Sequence, residues 1–352
     1  VLKLFKPKHH RILGIDISSS SVKILEISAN GDQFCVEAYG RIALPEGAME
    51  GVNIKNVDVV AGSIKKLLTT EHFNCKQAAL AVPDSTAISR MIQVNEGLRD
   101  EEIEELVTIE ADKYIPYPIE EINLDFNILG PSTKNSAMLD VLIVASRAEN
   151  VNNRVAAVTK AGLEAKIVDV ESYVIERTAR LFVPELPAGG SNKIVAIIDI
   201  GEVYTHFFIL YGMKIIFSRE EEFGGKQLME AIVQRYGMKI EEARAAMEQD
   251  ALPAEFKSEI LQPFKESILL QVKRGLQFFF STSRHTFVDY ILLAGGIAKY
   301  SDIAQLLQEH INIPTSIANP FSRMNFSKNV SREKIEQDAP RLLVACGLAL
   351  RA

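Results

Sequence analysis

Two stretches of this chain, 183 residues apart, follow one pattern, and that repetition limits its possible architectures more than any other feature. The first, LGIDISSSSVKILEI from Leu13 to Ile27, runs from an apolar segment into Asp16. It then passes four serines, Ser18, Ser19, Ser20 and Ser21, and leaves through Val22, Ile24 and Ile27. The second, KIVAIIDIGEVYTHFFIL from Lys193 to Leu210, puts Asp199 where the first has Asp16. Each reads as strand, tight turn, strand. A hydroxyl-rich turn can aim several N–H groups and serine hydroxyls at one point, which suits a phosphate chain. An acid beside phosphates calls for a divalent cation between them. Two such devices predict an internally duplicated, bilobal protein with a ligand held between its halves.

The 352 residues are enough for two lobes. A net charge of −7 argues against a general nucleic-acid binder, because affinity for the phosphate backbone comes from clustered Lys and Arg. Three widely spaced cysteines, Cys35, Cys75 and Cys346, fit a reducing compartment rather than a disulfide scaffold. No apolar run approaches the roughly 20 residues of a membrane span, and no signal peptide is visible. The opening VLKLFKPKHHR is basic with interleaved Leu2, Leu4 and Phe5. It reads as a solvated tail, or as a weak contact with an anionic membrane surface. His9 and His10 lack the partners of a metal site.

Between the two devices, strands are expected over FCVEAYGRIAL, Ala78 to Val82, Ile122 to Leu129, Leu139 to Ala145 and Ala165 to Val170. Helices are expected over Val57 to Leu68, within Leu98 to Tyr117 with its acidic first turn and Pro116–Pro118 stop, over Glu149 to Ala161, and from Glu171 through Leu181. Pro184, Pro187 and Gly189-Gly190-Ser191 form the clearest linker. After Asp199, helices are expected after Gly224-Gly225, over Ile240 to Glu248, Ser258 to Phe280 and Ser301 to Leu307, and finally over Arg341 to Leu350. A strand, Asp289 to Leu293, leads into Gly295-Gly296, where glycines permit close backbone approach to a ligand. There is no GxxxxGK[ST] loop, no GxGxxG after a strand, and no HExxH or CxxC. His72, His206, His285 and His310 are scattered and read as structural.

The ordered set LGIDISSSSVK, VDVESYVIERT, IIDIGEVYT, FGGK, LLAGGIAKYSDI and LLVACGLAL covers almost the whole chain. It resembles the actin-like ATPase superfamily and, through IEADKYIPYPIEE, the PilM family of type IV pilus assembly, with the division protein FtsA the nearest other relative. The resemblance implies an α/β, actin-like (ribonuclease H-like) bilobal fold with duplicated mixed β-sheet domains and an FtsA-like extra subdomain. It places a first lobe at residues 1–185 with the extra subdomain at about 76–166, a second lobe at 186–340, and a C-terminal helix, 341–352, returning to the first.

By the same resemblance the ligands are ATP or ADP with Mg2+. Asp16 and Asp199 would serve the metal, Ser18 to Ser21 and Lys23 the phosphates, and Gly201 and Thr205 the second turn. Gly224, Gly225 and Lys226 would form a nucleotide-side turn. Glu241 and Arg244 would lie near ribose and adenine, with Gly295 and Gly296 in the adenosine motif. Glu171 stands where chaperone relatives carry a glutamate that orients the attacking water; the other reading is a helix N-terminal acid stabilised by the dipole. Glu202 and Val203 replace small residues of active relatives, so binding with slow or absent turnover is expected. The family's role implies a cytoplasmic scaffold at the inner face of the inner membrane. It would bind the N-terminal peptide of PilN, linking PilN, PilO and PilP to the pilus motor ATPase. An active ATPase or small-molecule kinase, or a filament former like FtsA, are the alternatives, and a homo-oligomer is possible.

Overall fold

A computed structural model describes residues 11–351, apart from residues 32, 134, 136 and 301 and the side chains of residues 187, 188 and 248. The basic tail with Leu2, Leu4, Phe5, His9 and His10, and the expected helix start at Ser301, lie outside the described residues.

The first stretch forms the expected hairpin: β1 (Leu13–Ile17) and β2 (Ser21–Asn30) pair antiparallel, and β3 (Gln33–Ala43) continues the meander. Every residue of β1 is buried, which is why it reads as a continuous apolar run and not as an alternation. A two-residue-per-strand hairpin, β4 (Met49–Glu50) and β5 (Asn53–Ile54), precedes α1 (Val57–Thr70). The Asn56 side chain caps α1, accepting the N–H groups of Asp58 and Val59. Next, β6 (Gln77–Val82) lies parallel to β1.

The chain then leaves this sheet. β7 (Ala87–Asn95), α2 (Asp100–Tyr114), β8 (Ile122–Pro131) and β9 (Met138–Arg147) form a separate three-stranded sheet, order β7-β9-β8, with a helix. β8 alternates half-buried with exposed residues because only one of its faces is covered. α3 (Ala148–Lys160) and β10 (Glu164–Val170) return to the large sheet, where β10 runs parallel to β6. Within residues 76–166, therefore, 87–147 make up the inserted sheet, while β6, α3 and β10 belong to the large one.

From α4 (Glu171–Ala179) the chain crosses through two 3-10 turns, Arg180–Glu185 and Pro187–Gly190, to the second device. There β11 (Ile194–Ile200), β12 (Thr205–Tyr211) and β13 (Lys214–Glu221) form a second antiparallel meander. α5 (Gly225–Tyr236), α6 (Ile240–Glu248) and α7 (Gln262–Thr282) follow, α7 entered through a π-helical turn at Lys257–Leu261. β14 (Tyr290–Ala294) lies parallel to β11, and α8 (Asp302–Ile311) leads to β15 (Thr315–Ile317) beside β14.

The sheet orders show the duplication. The first sheet is β10-β6-β1-β2-β3 and the second β15-β14-β11-β12-β13, strand for strand the same arrangement. A sixth strand, β16 (Asn325–Phe326), extends the first sheet beyond β3, and α9 (Arg332–Asp338) and α10 (Leu343–Ala349) pack there too. In α10, Leu343, Cys346 and Leu348 are fully buried against β1, β2 and α4. That burial contributes roughly 5 kcal/mol, comparable to the whole net stability of a domain. Gly14 and Gly347 make the docking possible. A Cβ on Gly14 would lie 2.1 Å from the Ala345 carbonyl oxygen, and one on Gly347 would lie 2.3 Å from that of Val174.

Candidate functional site

One cleft is lined by both sheets' β1/β2 and β11/β12 turns and by Glu171, Arg154, Tyr204, Gly225, Gly295, Gly296 and Arg341. It collects Asp16, Ser18, Ser19, Ser20, Ser21, Lys23, Glu171, Asp199, Gly201, Gly225, Arg244, Gly295 and Gly296.

At the first turn, Asp16 and Lys23 are cross-strand partners, so their side chains leave the same face of the hairpin. Lys23 Nζ donates to Asp16 Oδ2 at 2.6 Å, with Asp16 only 5% and Lys23 8% exposed. Lys23 also reaches Ser18 Oγ at 3.4 Å. The turn is closed internally by Ser18, whose N–H and hydroxyl both donate to the Ser21 carbonyl at 3.0 Å. The N–H groups of Ser19 and Ser20 have no backbone acceptor among the described residues, which leaves a small donor cradle facing the cleft.

The second turn repeats the geometry with different chemistry. Asp199 pairs across the hairpin with His206, seven residues on, as Asp16 does with Lys23. Burial pushes the Asp199 carboxyl above its ordinary range, opposed by His206 and Lys23, while the charge of Asp16 adds to the rise. Gly201 N–H closes the turn on the Tyr204 carbonyl, and Thr205, buried, donates to the Phe223 carbonyl at 2.8 Å rather than facing the cleft.

The FGGK turn is stapled onto this loop. Gly225 N–H donates to the Gly201 carbonyl at 3.0 Å and Lys226 N–H to that of Glu202 at 2.7 Å. A Cβ on Gly224 would sit 2.5 Å from the Gly201 carbonyl oxygen, so the two turns touch only because residue 224 has no side chain. Lys226 itself points outward beside Glu230. Glu202, which stands in place of a small residue of active relatives, is paired with Arg244 at 3.1 Å, so its charge is partly compensated. Glu241 is exposed and outside the cleft lining.

Gly295 has φ +88° and crosses directly over Asp199. A Cβ there would lie 2.2 Å from the Ile200 carbonyl oxygen and 2.5 Å from Asp199 Oδ1. Its N–H goes to the Pro340 carbonyl, and Arg341 donates to the Gly296 carbonyl at 3.3 Å. Arg341 is held in turn by Asp338 at 2.8 Å, which also accepts from Tyr39 at 2.5 Å. The glycine pair is thus braced by the chain leading into α10.

Glu171 begins α4, but the helix N-terminus does not set its ionisation. Asp84 caps that end by accepting the Ser172 N–H at 3.0 Å. Desolvation raises the Glu171 carboxyl to about 7, with Asp16 and Asp84 adding to the rise and His206 and Arg154 opposing it. Part of the side chain remains in contact with solvent at the cleft wall.

Sequence reasoning read His206 as structural and passed over Arg154. The signal for His206 was present: it follows Asp199 by the seven residues that separate Lys23 from Asp16. For Arg154 the signal was its place on the apolar face of α3, with Ala157 and Val158 three and four residues on.

Two acids, a lysine, a serine cradle and side-chain-free approaches at residues 224 and 295 fit a magnesium-bound nucleotide. Among the described residues no three His, Cys, Asp or Glu are grouped as a metal site of their own, so a cation here needs phosphate oxygens or water to complete its shell. No helix among the described residues is long and apolar enough to cross a membrane.

The model for the type IV pilus assembly protein PilM family matches residues 14–352. Among solved structures, the chain superposes with a TM-score of 0.79 on one described as the PilM-PilN type IV pilus biogenesis complex. The two are 26% identical over 98% of this chain and 99% of that one. It is also similar to the ethanolamine utilization protein EutJ from Carboxydothermus hydrogenoformans, with a TM-score of 0.55 and 15% identity over 100% of this chain and 92% of that one, a likeness of fold alone. With its duplicated actin-like α/β architecture and a family match over nearly its whole length, this chain belongs to the type IV pilus assembly protein PilM family.

Proposed function

We propose that this protein is an ATP-binding scaffold of type IV pilus biogenesis, holding magnesium nucleotide in its cleft and the N-terminal cytoplasmic peptide of PilN on its first lobe. The observation that carries the nucleotide reading is the paired device: Asp16 with Lys23 and the serine turn on one side, Asp199 with His206 on the other, around one cleft. Asp16 and Asp199 hold the metal, mostly through water. Ser18 to Ser21 cradle phosphate oxygens, and Lys23 exchanges Asp16 for phosphate. Gly201 and Gly225 form the floor, with Thr205 and Gly224 setting its shape. Arg244, Gly295 and Gly296 flank the nucleoside. When bound, the cation neutralises the phosphate chain.

The partner reading is supported by a similar structure described as a PilM-PilN complex. It is supported also by the exposed apolar residues Met91, Ile109, Tyr114 and Leu129 on the inserted sheet and helix. Through PilN the protein is stationed at the inner face of the inner membrane and joins PilN, PilO and PilP to the motor. The two large sheets with their helices act as the two lobes, and β16, α9 and α10, which the sequence reading divided between the second lobe and a closing helix, all return to the first.

Calorimetric titration with magnesium ATP tests the reading. Asp16→Ala and Asp199→Asn should each lose about tenfold or more in affinity, the range of a lost charge-assisted contact. Melting curves will identify any loss caused by Lys23 left buried without its partner. Equal binding by wild type and both variants would remove the metal role of these aspartates.

A second reading, slow ATP hydrolysis, is favoured by Glu171, whose carboxyl, raised to about 7, is matched to proton transfer near neutral pH. Steady-state turnover abolished in Glu171→Gln supports it; robust turnover untouched by that change removes Glu171 from the chemistry.

A further inference from the structure

Arg154 is the largest fully buried side chain among the described residues, and neither the nucleotide nor the scaffold reading uses it. It is 1% exposed, projects from α3 and contributes to the wall of the cleft. Nη2 donates to the Val52 carbonyl at 2.8 Å and Nη1 more weakly to that of Asn150 at 3.4 Å, while Nε is buried with no acceptor among the described residues. No carboxylate lies within 4.0 Å of it among those residues. Carbonyl bonds do not neutralise a full charge, and a buried guanidinium without an anion is costly.

The acids whose fields reach Arg154 are Glu171 and Asp16. Neither is a full counter-ion: Asp16 is committed to Lys23 at 2.6 Å, and Glu171, with a pKa of about 7, is half neutral near that pH. A tether for Val52 alone would be served by a neutral donor at lower cost. The fork of charge is therefore explained by an anion that enters the cleft, at the end walled by Val52, Glu171 and Tyr204.

The tether also leads somewhere. Val52 lies at the tip of the β4–β5 hairpin, beside Gly51. Gly51 has φ +60°, and a Cβ on it would lie 2.9 Å from the Tyr204 hydroxyl. Tyr204 belongs to the second turn, between Asp199 and His206. The hairpin tip thus touches the opposite half of the molecule while hanging from Arg154.

We propose that Arg154 recognises the terminal phosphate of the bound nucleotide and relays its presence to the second lobe through Val52 and the Gly51–Tyr204 contact. The inference rests on the reading of the cleft as a nucleotide site. A γ-phosphate supplies the missing anion and draws the guanidinium away from Val52; a diphosphate leaves that bond in place.

The test compares magnesium with ADP and with the imido analogue of ATP, by calorimetry, in wild type, Arg154→Lys and Arg154→Gln. Wild type should prefer the triphosphate analogue by about tenfold or more, the worth of hydrogen bonds to a charged group. Arg154→Gln should lose that preference while its ADP affinity stays within about twofold, and Arg154→Lys should fall between. In parallel, hydrogen exchange of residues 49–54 in wild type should differ between the two nucleotides, an arm that stands even where Arg154→Gln does not fold. Loss of both affinities together, or a preference kept by the variants, overturns the recognition role. Identical exchange in the hairpin overturns the relay. A wild-type protein that binds neither nucleotide overturns the cleft reading itself, and this inference with it; one that binds both without preference overturns this inference alone.

Discussion

Glu171 illustrates how burial and position compete over a single carboxylate. As the first residue of a helix it stands to gain from the dipole, yet desolvation dominates and raises its pKa from 4.5 to about 7. The folded protein then holds a proton that the unfolded chain has released, so the residue's contribution to stability declines as pH rises from about 4.5 to about 7 and is level above. Glu171→Gln removes that slope. Between about pH 5 and pH 8 the variant's melting temperature should therefore gain on wild type by a few degrees, read by circular dichroism across the series. A difference that does not change with pH would mean the carboxyl titrates in its ordinary range. At this scale the sequence was partly legible. Asp16 and Lys23 were both singled out, one for metal and one for phosphate, but not as partners; the hairpin converts their seven-residue interval into a cross-strand contact. The Glu202–Arg244 pair lies 42 residues apart, and no local pattern announces a contact made by a turn meeting a helix from elsewhere in the chain.

Among the elements, α10 is the most exacting, since it lies close against both a strand and a helix. Gly14→Ala puts a methyl group 2.1 Å from the Ala345 carbonyl oxygen, where backbone must move, and should cost about 1–3 kcal/mol. Gly62→Ala, on the exposed face of α1 with nothing within 4 Å, should instead be neutral or stabilise by roughly 0.5–1 kcal/mol. Denaturant melts of the two variants compare them; equal effects would mean that the close approach of α10 and β1 is not tight. The small residues Ala345 and Gly347 already suggested a closely packed helix. Long helices were legible by their period, and the two Asp hairpins by an apolar run that ends in an Asp and a tight turn. β7, β13, β15 and β16 were not. β7 and β13 carry polar and charged residues on their open faces, and β15 and β16 are three and two residues long, too short for alternation to register.

For the whole molecule, the duplication was readable from one comparison of two aspartates, and the strand orders of both sheets bear it out. The insertion's limits were less so, because β6 and β10 look like neighbours of β7 and β9 until pairing assigns them to another sheet. If the protein works as a scaffold on PilN, a labelled N-terminal PilN peptide should bind the full chain in fluorescence anisotropy with a saturable curve. Sedimentation should show no nucleotide-dependent gain in mass. A peptide that fails to bind counts against the partner, and polymers that form with ATP would favour the filament alternative.

The seating of α10 on β1 also has a consequence for how the protein is made. The ribosome assembles β1 early, yet the helix that covers it is synthesised some 330 residues later. Until then the face of the first sheet that α10 covers, including Leu25, Ile27 and Ala79, lacks its cover. The second half, whose sheet and helices are contiguous in sequence from β11 to β15, can condense first. The first half must wait as an open, adhesive surface. During translation this is the part of the molecule most in need of a chaperone.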